Sequence, residues 1–350
     1  MNIQSPQKTR HIHYWSSHPH RNAVFWLRLF GQDEHKIRFV PDSESPDYIF
    51  CTEQIWTETS ARKKFLELWS PSRIVIYFAG ECIFPDMNLF DYAICFDRDL
   101  HLGDRCIRIP TIYFYKDDIF ADLAVPFADS EFELSRKTRF CNFIYSNPQA
   151  APRRDAIFHA LSSYKRVDSL GPHLNNCGNR TSRHDTNWHF QAIEMKRPYK
   201  FSIACENARY PGYVSEKILS SFQSHTVPIY WGDPEIANDF NGKAFINANQ
   251  MSDQEVVEEV RRIDNDDSIW LEMISQPVLT PEQNAKALQD YKLFRSWADN
   301  LFSMDLHELL RKPEGFWPRN YRKSFVCPPN KADRILARMI RHTTLMESSL

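Results

Sequence analysis

The sequence predicts an α/β protein made of two Rossmann-like units followed by a helical C-terminal region. Three observations lead there. Short β-branched or aromatic runs alternate with helix-length amphipathic segments, the pattern of parallel sheets covered by helices. One polar stretch, 115–136, carrying Asp117, Asp118, Asp122, Asp129 and Glu131, separates two such series. The length of 350 residues also suits about two domains at roughly 150 residues each. The expected boundaries are 1–128 and 137–310 for the two units, with an aromatic segment and a basic amphipathic tail in 311–350.

In the first unit, strands are expected at 37–40, 48–51, 73–78, 92–96 and 106–109, with a helix over 59–69. The second begins with a strand at 140–145, a helix over 153–163, a strand at 166–169 and a turn at Gly171-Pro172. A helix over 188–196 follows, then a strand at 201–205, a helix over 215–224 and strands at 227–231 and 244–247. Beyond Asp253 the pattern is helical: 255–263, 268–275 and 281–302, with Pro281 in a first turn that tolerates it. Segment 331–342 sets Arg334, Arg338 and Arg341 on one stripe and Ile335, Leu336, Met339 and Ile340 opposite. It reads as a surface helix packed on the body, with weak peripheral contact to anionic lipid as the alternative.

Forty-three Lys and Arg against 45 Asp and Glu leave a formal charge of −2, so no excess points to nucleic acid or an anionic membrane. Any anion must be held locally. An apolar fraction of 42%, with 14% aromatic, excludes a disordered chain. No apolar run approaches the roughly 18 residues of a membrane span, and Lys8, Arg10 and His11 precede no apolar signal segment. A cytoplasmic protein is expected. Eight cysteines stand far apart, and Cys51, Cys95, Cys106 and Cys205 lie in strand-like runs, which suits reduced thiols. His11-Ile12-His13, Asp97-Arg98-Asp99 and Asp264-Asn265-Asp266 are too short to indicate a metal site, and none is expected. Asn179-Arg180-Thr181 is a glycosylation sequon that matters only in a secretory compartment.

Functional side chains are densest in Cys205-Glu206-Asn207, Tyr213-Val214-Ser215-Glu216-Lys217 and Val227 to Pro234. Glu206 and Asn207 end an apolar strand, and Ser215, Glu216 and Lys217 open the next helix, the crevice where α/β sheets bind ligands. A helix N-terminus with Lys217 suits phosphate, and Glu216 suits ribose hydroxyls. The same residues would equally serve as helix caps. A second place is Ser146-Asn147-Pro148 with Arg153-Arg154-Asp155, where an arginine could fork two diphosphate oxygens or merely pair with Asp155 at the surface. The third is Phe78-Ala79-Gly80-Glu81, a strand-end acid usable as a general base at a cleft or as a simple turn cap.

In this order, the blocks resemble the α-1,3/4-fucosyltransferases of glycosyltransferase family 10, especially bacterial members. The family shows Glu-Asn at a strand end, a Tyr-Val-Thr-Glu-Lys helix start and a Val/Ile-Pro-Ile/Val strand ending in Gly; this chain has Glu206-Asn207, Tyr213 to Lys217 and Val227 to Gly232. Similarity also covers 78–110, with Asn88 to Ile94, and 146–161. The resemblance implies a GT-B fold, two Rossmann-like domains facing a cleft, and inverting transfer of L-fucose from GDP-fucose to O3 or O4 of N-acetylglucosamine in a β-galactosyl-containing, Lewis-type glycan. Glu81 corresponds to the general base, and Arg154 and Lys217 to the cations on the diphosphate. Glu206, Asn207, Tyr213, Val214, Ser215 and Glu216 fall in the donor-binding motif. No cofactor is obligatory and no metal is implied in the site. Departures are Cys205 for Phe, Ala208 for Ser or Thr, and Cys82 for Asn after the acid; Cys205 is expected to leave slack beside the sugar. Trp15, His18, His20 and Trp26 are expected around the acceptor. Rival readings are a GT-B transferase for another nucleotide sugar and a non-catalytic glycan or nucleotide receptor.

Overall fold

The computed structural model describes residues 9–14, 23–40, 45–114, 124–126, 129–178 and 188–326. Six parallel strands form the first sheet: β1 (Arg10–Tyr14), β2 (Ile37–Phe39), β3 (Tyr48–Thr52), β4 (Ile74–Phe78), β5 (Tyr92–Cys95) and β6 (Cys106–Arg108), in the order β2-β1-β3-β4-β5-β6. The second sheet holds β7 (Arg139–Phe143), β8 (Val167–Ser169), β9 (Tyr199–Cys205), β10 (Val227–Trp231) and β11 (Ile246–Asn247), in the order β11-β10-β9-β7-β8, again parallel. Helices cover these sheets, so β3, β4, β5 and β10 are buried along their whole lengths and read as unbroken apolar runs. Pro228 is tolerated inside β10 because β11 pairs only with Ile229 and Tyr230, leaving an edge beside Pro228.

The expected α/β architecture is the one observed, with two additions in the first unit. His11-Ile12-His13 belongs to β1, which lies between β2 and β3. The run 23–30 is a helix, Ala23–Phe30, that the sequence pattern does not disclose. It packs on the core with Trp26, Leu27, Leu29 and Phe30 buried and turns Arg28 to the outside. Trp26 is 0% exposed, at 4.4 Å from the Phe50 ring and 5.3 Å from that of Phe78, which corrects the expectation that it faces the acceptor. Trp15, His18 and His20 lie outside the described residues, as do the sequon and the 331–342 stripe.

The helical region also departs from the expected boundary at 310. Helix Pro281–Ser303 starts from a Thr280 capping box beside the second unit, where Ala287 packs with Phe240. At about 1.5 Å per residue its 23 residues reach the first sheet. There Phe294, Ala298, Leu301, Phe302 and Leu309 enter the core around Trp26 and Phe30. Tyr48 Oη donates to Leu301 O at 2.9 Å. The buried Asp91 carboxylate then accepts from the Arg311 and Lys312 N–H groups and from Lys312 Nζ. Residues 294–312 thus pack with the first unit. No helix among the described residues is long and apolar enough to cross a membrane.

Candidate active site

Because every strand is parallel within its sheet, the C-terminal strand ends of each unit lie along one edge, and the loops leaving them carry the chemical groups. Glu81 follows β4. Its turn is held by Glu53, whose Oε2 accepts from Gly80 N at 3.1 Å. Across the gap, Tyr213 Oη donates to Glu81 Oε2 at 2.8 Å, and Asn207 Nδ2 approaches the same oxygen at 3.5 Å. Glu81 Oε1 accepts no hydrogen bond among the described residues. One oxygen is anchored by the second unit; the other is open. Burial, together with the Glu81 and Glu206 charges, pushes the Tyr213 phenol far above its ordinary value, so it stays a donor.

Arg154 sits in the first turn of helix Pro152–Tyr164. The guanidinium is 1% exposed and stacks 4.6 Å from the Tyr145 ring. Nη2 donates to Asn147 O at 2.8 Å and Nη1 to Asn207 Oδ1 at 3.3 Å, so Asn207 links the cation to the acid. The pair with Asp155 that the sequence left open is present, Arg154 Nε lying 3.2 Å from Asp155 Oδ1, but the guanidinium is buried where a solvated surface pair was the alternative.

Glu206, at the end of β9, is 0% exposed. It accepts from Ser215 N at 2.8 Å, Ser215 Oγ at 2.7 Å and Lys217 Nζ at 3.1 Å. Burial raises its pKa, and Lys217 and Ser215 oppose that rise. A carboxylate so enclosed holds the start of helix Glu216–Gln223 through Ser215 and Lys217. Ser215 occupies the N-cap position without a side-chain capping bond; its Oγ accepts from Lys217 Nζ at 2.7 Å. The capping alternative therefore fails for Ser215. Burial would lower the Lys217 pKa, but Glu206, Glu216 and Glu81 outweigh it and keep the ammonium charged. Glu216 lies half-buried in the first turn, and Val214 is buried with its carbonyl accepting from Thr111 Oγ1 at 2.9 Å.

Sequence reasoning missed the groups that join the units. Arg98, inside a triplet considered only as a metal motif, pairs with the fully buried Asp233 at 2.6 Å and with Asp239 at 2.9 Å, and Arg108 also meets Asp239 at 2.6 Å. Its signal was an arginine between two acids after an apolar strand, and Asp233 stands next to Gly232 in the block already singled out. Gly212 (φ +83°) meets the first unit so closely that a Cβ would lie 2.2 Å from Phe96 O. Cys205 is fully buried in the core of the second unit. Cys82, half-buried beside Glu81, has its thiol pushed up to about 11 by burial and then by that acid. The seven cysteines within the described residues are free thiols, and no cluster of three or more His, Cys, Asp or Glu there could hold a metal.

A family model for the C-terminal part of glycosyltransferase family 10 (fucosyltransferase) matches residues 134–275, and one for the alpha-(1,3)-fucosyltransferase FucT N-terminal domain matches residues 10–115. The two together span more than two thirds of the chain. The chain belongs to glycosyltransferase family 10. It is 31% identical over 242 residues to the alpha-(1,3)-fucosyltransferase FucT of Helicobacter pylori, covering 61% of this chain and 48% of that protein. This family-10 chain thus spans about half the length of that relative. A solved alpha1,3-fucosyltransferase with GDP is 25% identical, with a TM-score of 0.66 over 90% of this chain and 95% of that one. Another, with GDP-fucose, is 26% identical, with a TM-score of 0.60 over 84% and 92%. The fold of the family-10 chain is GT-B, two Rossmann-like sheets with a helical C-terminal region.

Proposed function

We propose that the protein transfers L-fucose from GDP-fucose, with inversion, to O3 or O4 of N-acetylglucosamine in a β-galactosyl-containing oligosaccharide. The observation that carries this reading is the anchoring of Glu81 by Tyr213 from the opposite unit, in a network that reaches Arg154 through Asn207. Relatives solved with GDP and GDP-fucose support the choice of donor.

The chemistry follows from the charges. An acceptor hydroxyl gives its proton to the open oxygen of Glu81 while its own oxygen attacks C1 of fucose on the face opposite the leaving group. The new O–C1 bond forms, the bond from C1 to the phosphate oxygen breaks, and the electron pair leaves with GDP. That growing charge falls to Arg154, Lys217 and the N-terminus of helix Glu216–Gln223, each held in place by its neighbours. Arg154 Nη1 exchanges its long contact with Asn207 for a phosphate oxygen at little cost, because Nη2 remains held by Asn147. Glu206 acts one layer behind, fixing Lys217 and Ser215. Such fixed cations do the work without a cofactor of the protein's own.

The decisive experiment measures GDP release from GDP-fucose with and without N-acetyllactosamine, followed by NMR of the product linkage. Release that depends on acceptor, is inverting and is restricted to GDP-fucose is expected. Equal turnover of another nucleotide sugar, or GDP binding without release, would overturn the reading.

A further inference from the structure

The contacts of Arg154 extend to two residues that the reaction above does not use. Asp155 Oδ1 accepts from Arg154 Nε at 3.2 Å, and Asp155 Oδ2 lies 2.8 Å from His173 Nε2. About a third of the Asp155 side chain is exposed, and alone such an acid would hold an adjacent arginine weakly. His173 changes that, since its own position is fixed from several sides. Its side chain is largely buried, its N–H donates to Tyr145 O at 2.9 Å, and its carbonyl accepts from Ser169 Oγ at 2.7 Å. Gly171, two residues earlier, lies so near that a Cβ would stand 2.3 Å from Tyr145 O. The loop after β8 is therefore pinned on Tyr145, the same residue whose ring lies under the Arg154 guanidinium. The contacts close a circuit from loop to imidazole, carboxylate, guanidinium, tyrosine and back to the loop.

We propose that His173 and Asp155 are positioning residues that lock the Arg154 guanidinium through its Nε, so that Nη1, now on Asn207 Oδ1 at 3.3 Å, is the edge that turns to grip a nucleoside diphosphate. The inference rests on the donor reading above, because GDP is the ligand that Arg154 would hold. It assigns the loop after β8 a part in donor affinity through an arginine on a different element.

The test is a mutant cycle read by calorimetric GDP affinity, with acceptor KM measured alongside. His173→Ala and Asp155→Ala are each expected to weaken GDP binding about tenfold, the scale of one charge-assisted hydrogen bond, with acceptor KM changed less than about twofold. His173→Gln, whose amide N–H can still reach Asp155, should recover affinity to within about threefold of the unmodified protein. In an Arg154→Lys background, which has no Nε donor, His173→Ala should cost less than about twofold more, since what it positions is gone. Equal losses in both backgrounds, an unaltered GDP affinity in His173→Ala, or a His173→Gln as weak as His173→Ala would overturn the proposal. If Asp155→Ala does not fold, the histidine variants still decide. If the unmodified protein fails to bind GDP, the donor reading falls, and this inference with it.

Discussion

Glu81 and Lys217 carry the reaction as proposed, yet the structure gives their removal different consequences. Glu81→Gln keeps an oxygen for Tyr213 but cannot take a proton, so kcat should fall by about 10²- to 10⁴-fold while calorimetric GDP affinity stays within about twofold. Lys217 has a second duty, because its Nζ pairs with the fully buried Glu206 carboxylate. Lys217→Ala should therefore cost about 3 to 5 kcal/mol of stability in urea unfolding, as expected when one partner of a buried pair is removed. Loss of transfer adds about 2.7 to 4 kcal/mol in transition-state stabilisation, by analogy with oxyanion-hole donors. Combining Glu206→Gln with Lys217→Met removes both charges and should restore most of the stability but none of the transfer. A double variant as active as the unmodified protein would refute the role of Lys217.

At the scale of elements, helix Glu216–Gln223 depends on its neighbour Trp188–Lys196. Lys196 Nζ donates to Ser220 Oγ at 2.7 Å and Ser221 Oγ at 3.2 Å. Burial lowers its pKa to about 7, partly opposed by Glu216. In the unfolded chain a lysine titrates near ~10.4. The unfolded state thus binds more protons between those two values, and stability rises with pH across that window. Lys137, lowered to about 8 chiefly by burial, acts in the same direction over a narrower range. Lys196→Met should remove most of the increase in urea midpoint between neutral and alkaline pH; an unchanged slope would contradict it. The turn before this helix is equally constrained. Gly212→Ala forces a Cβ against Phe96 O and moves Tyr213 off Glu81, so turnover should fall at least about tenfold.

The two units meet through fixed charges as well as through helix Pro281–Ser303. Burial would raise the Asp239 pKa, but Arg108 and Arg98 hold it below the usual carboxylate value. Its contribution to stability is complete above the unfolded value near 3.8 and is lost as pH falls through the lower, folded value. Asp239→Asn should therefore weaken the junction at neutral pH and flatten the acid limb of unfolding. Small-angle scattering of this variant should show a larger radius of gyration, and an unaltered radius and acid limb would contradict the clamp.

How much was legible in the sequence follows from periodicity and from contact. All strands of both sheets except β1, and the helices between 253 and 303, were legible because apolar runs of strand length, capping residues and Pro281 are local signals; helix Phe316–Val326, in a stretch read only as aromatic, was not. So were Glu81, Glu206-Asn207 and Tyr213 to Lys217, since strand ends and helix starts in α/β proteins are where chemistry collects, and the motif resembled a known family. The helix Ala23–Phe30 was not legible, because Arg28 alone interrupts a short apolar run, and a run of that length does not separate a helix from a strand. Nor could the chain order show that Glu206 faces inward, that Arg154 lies under Asn207, or that Arg98 finds Asp233 and Asp239. The sequence by itself determined the two α/β units and which strand ends bear acids and cations. Tertiary structure alone decided which of those charges meet, because pairs more than a hundred residues apart are set by the packing of one sheet edge against the other.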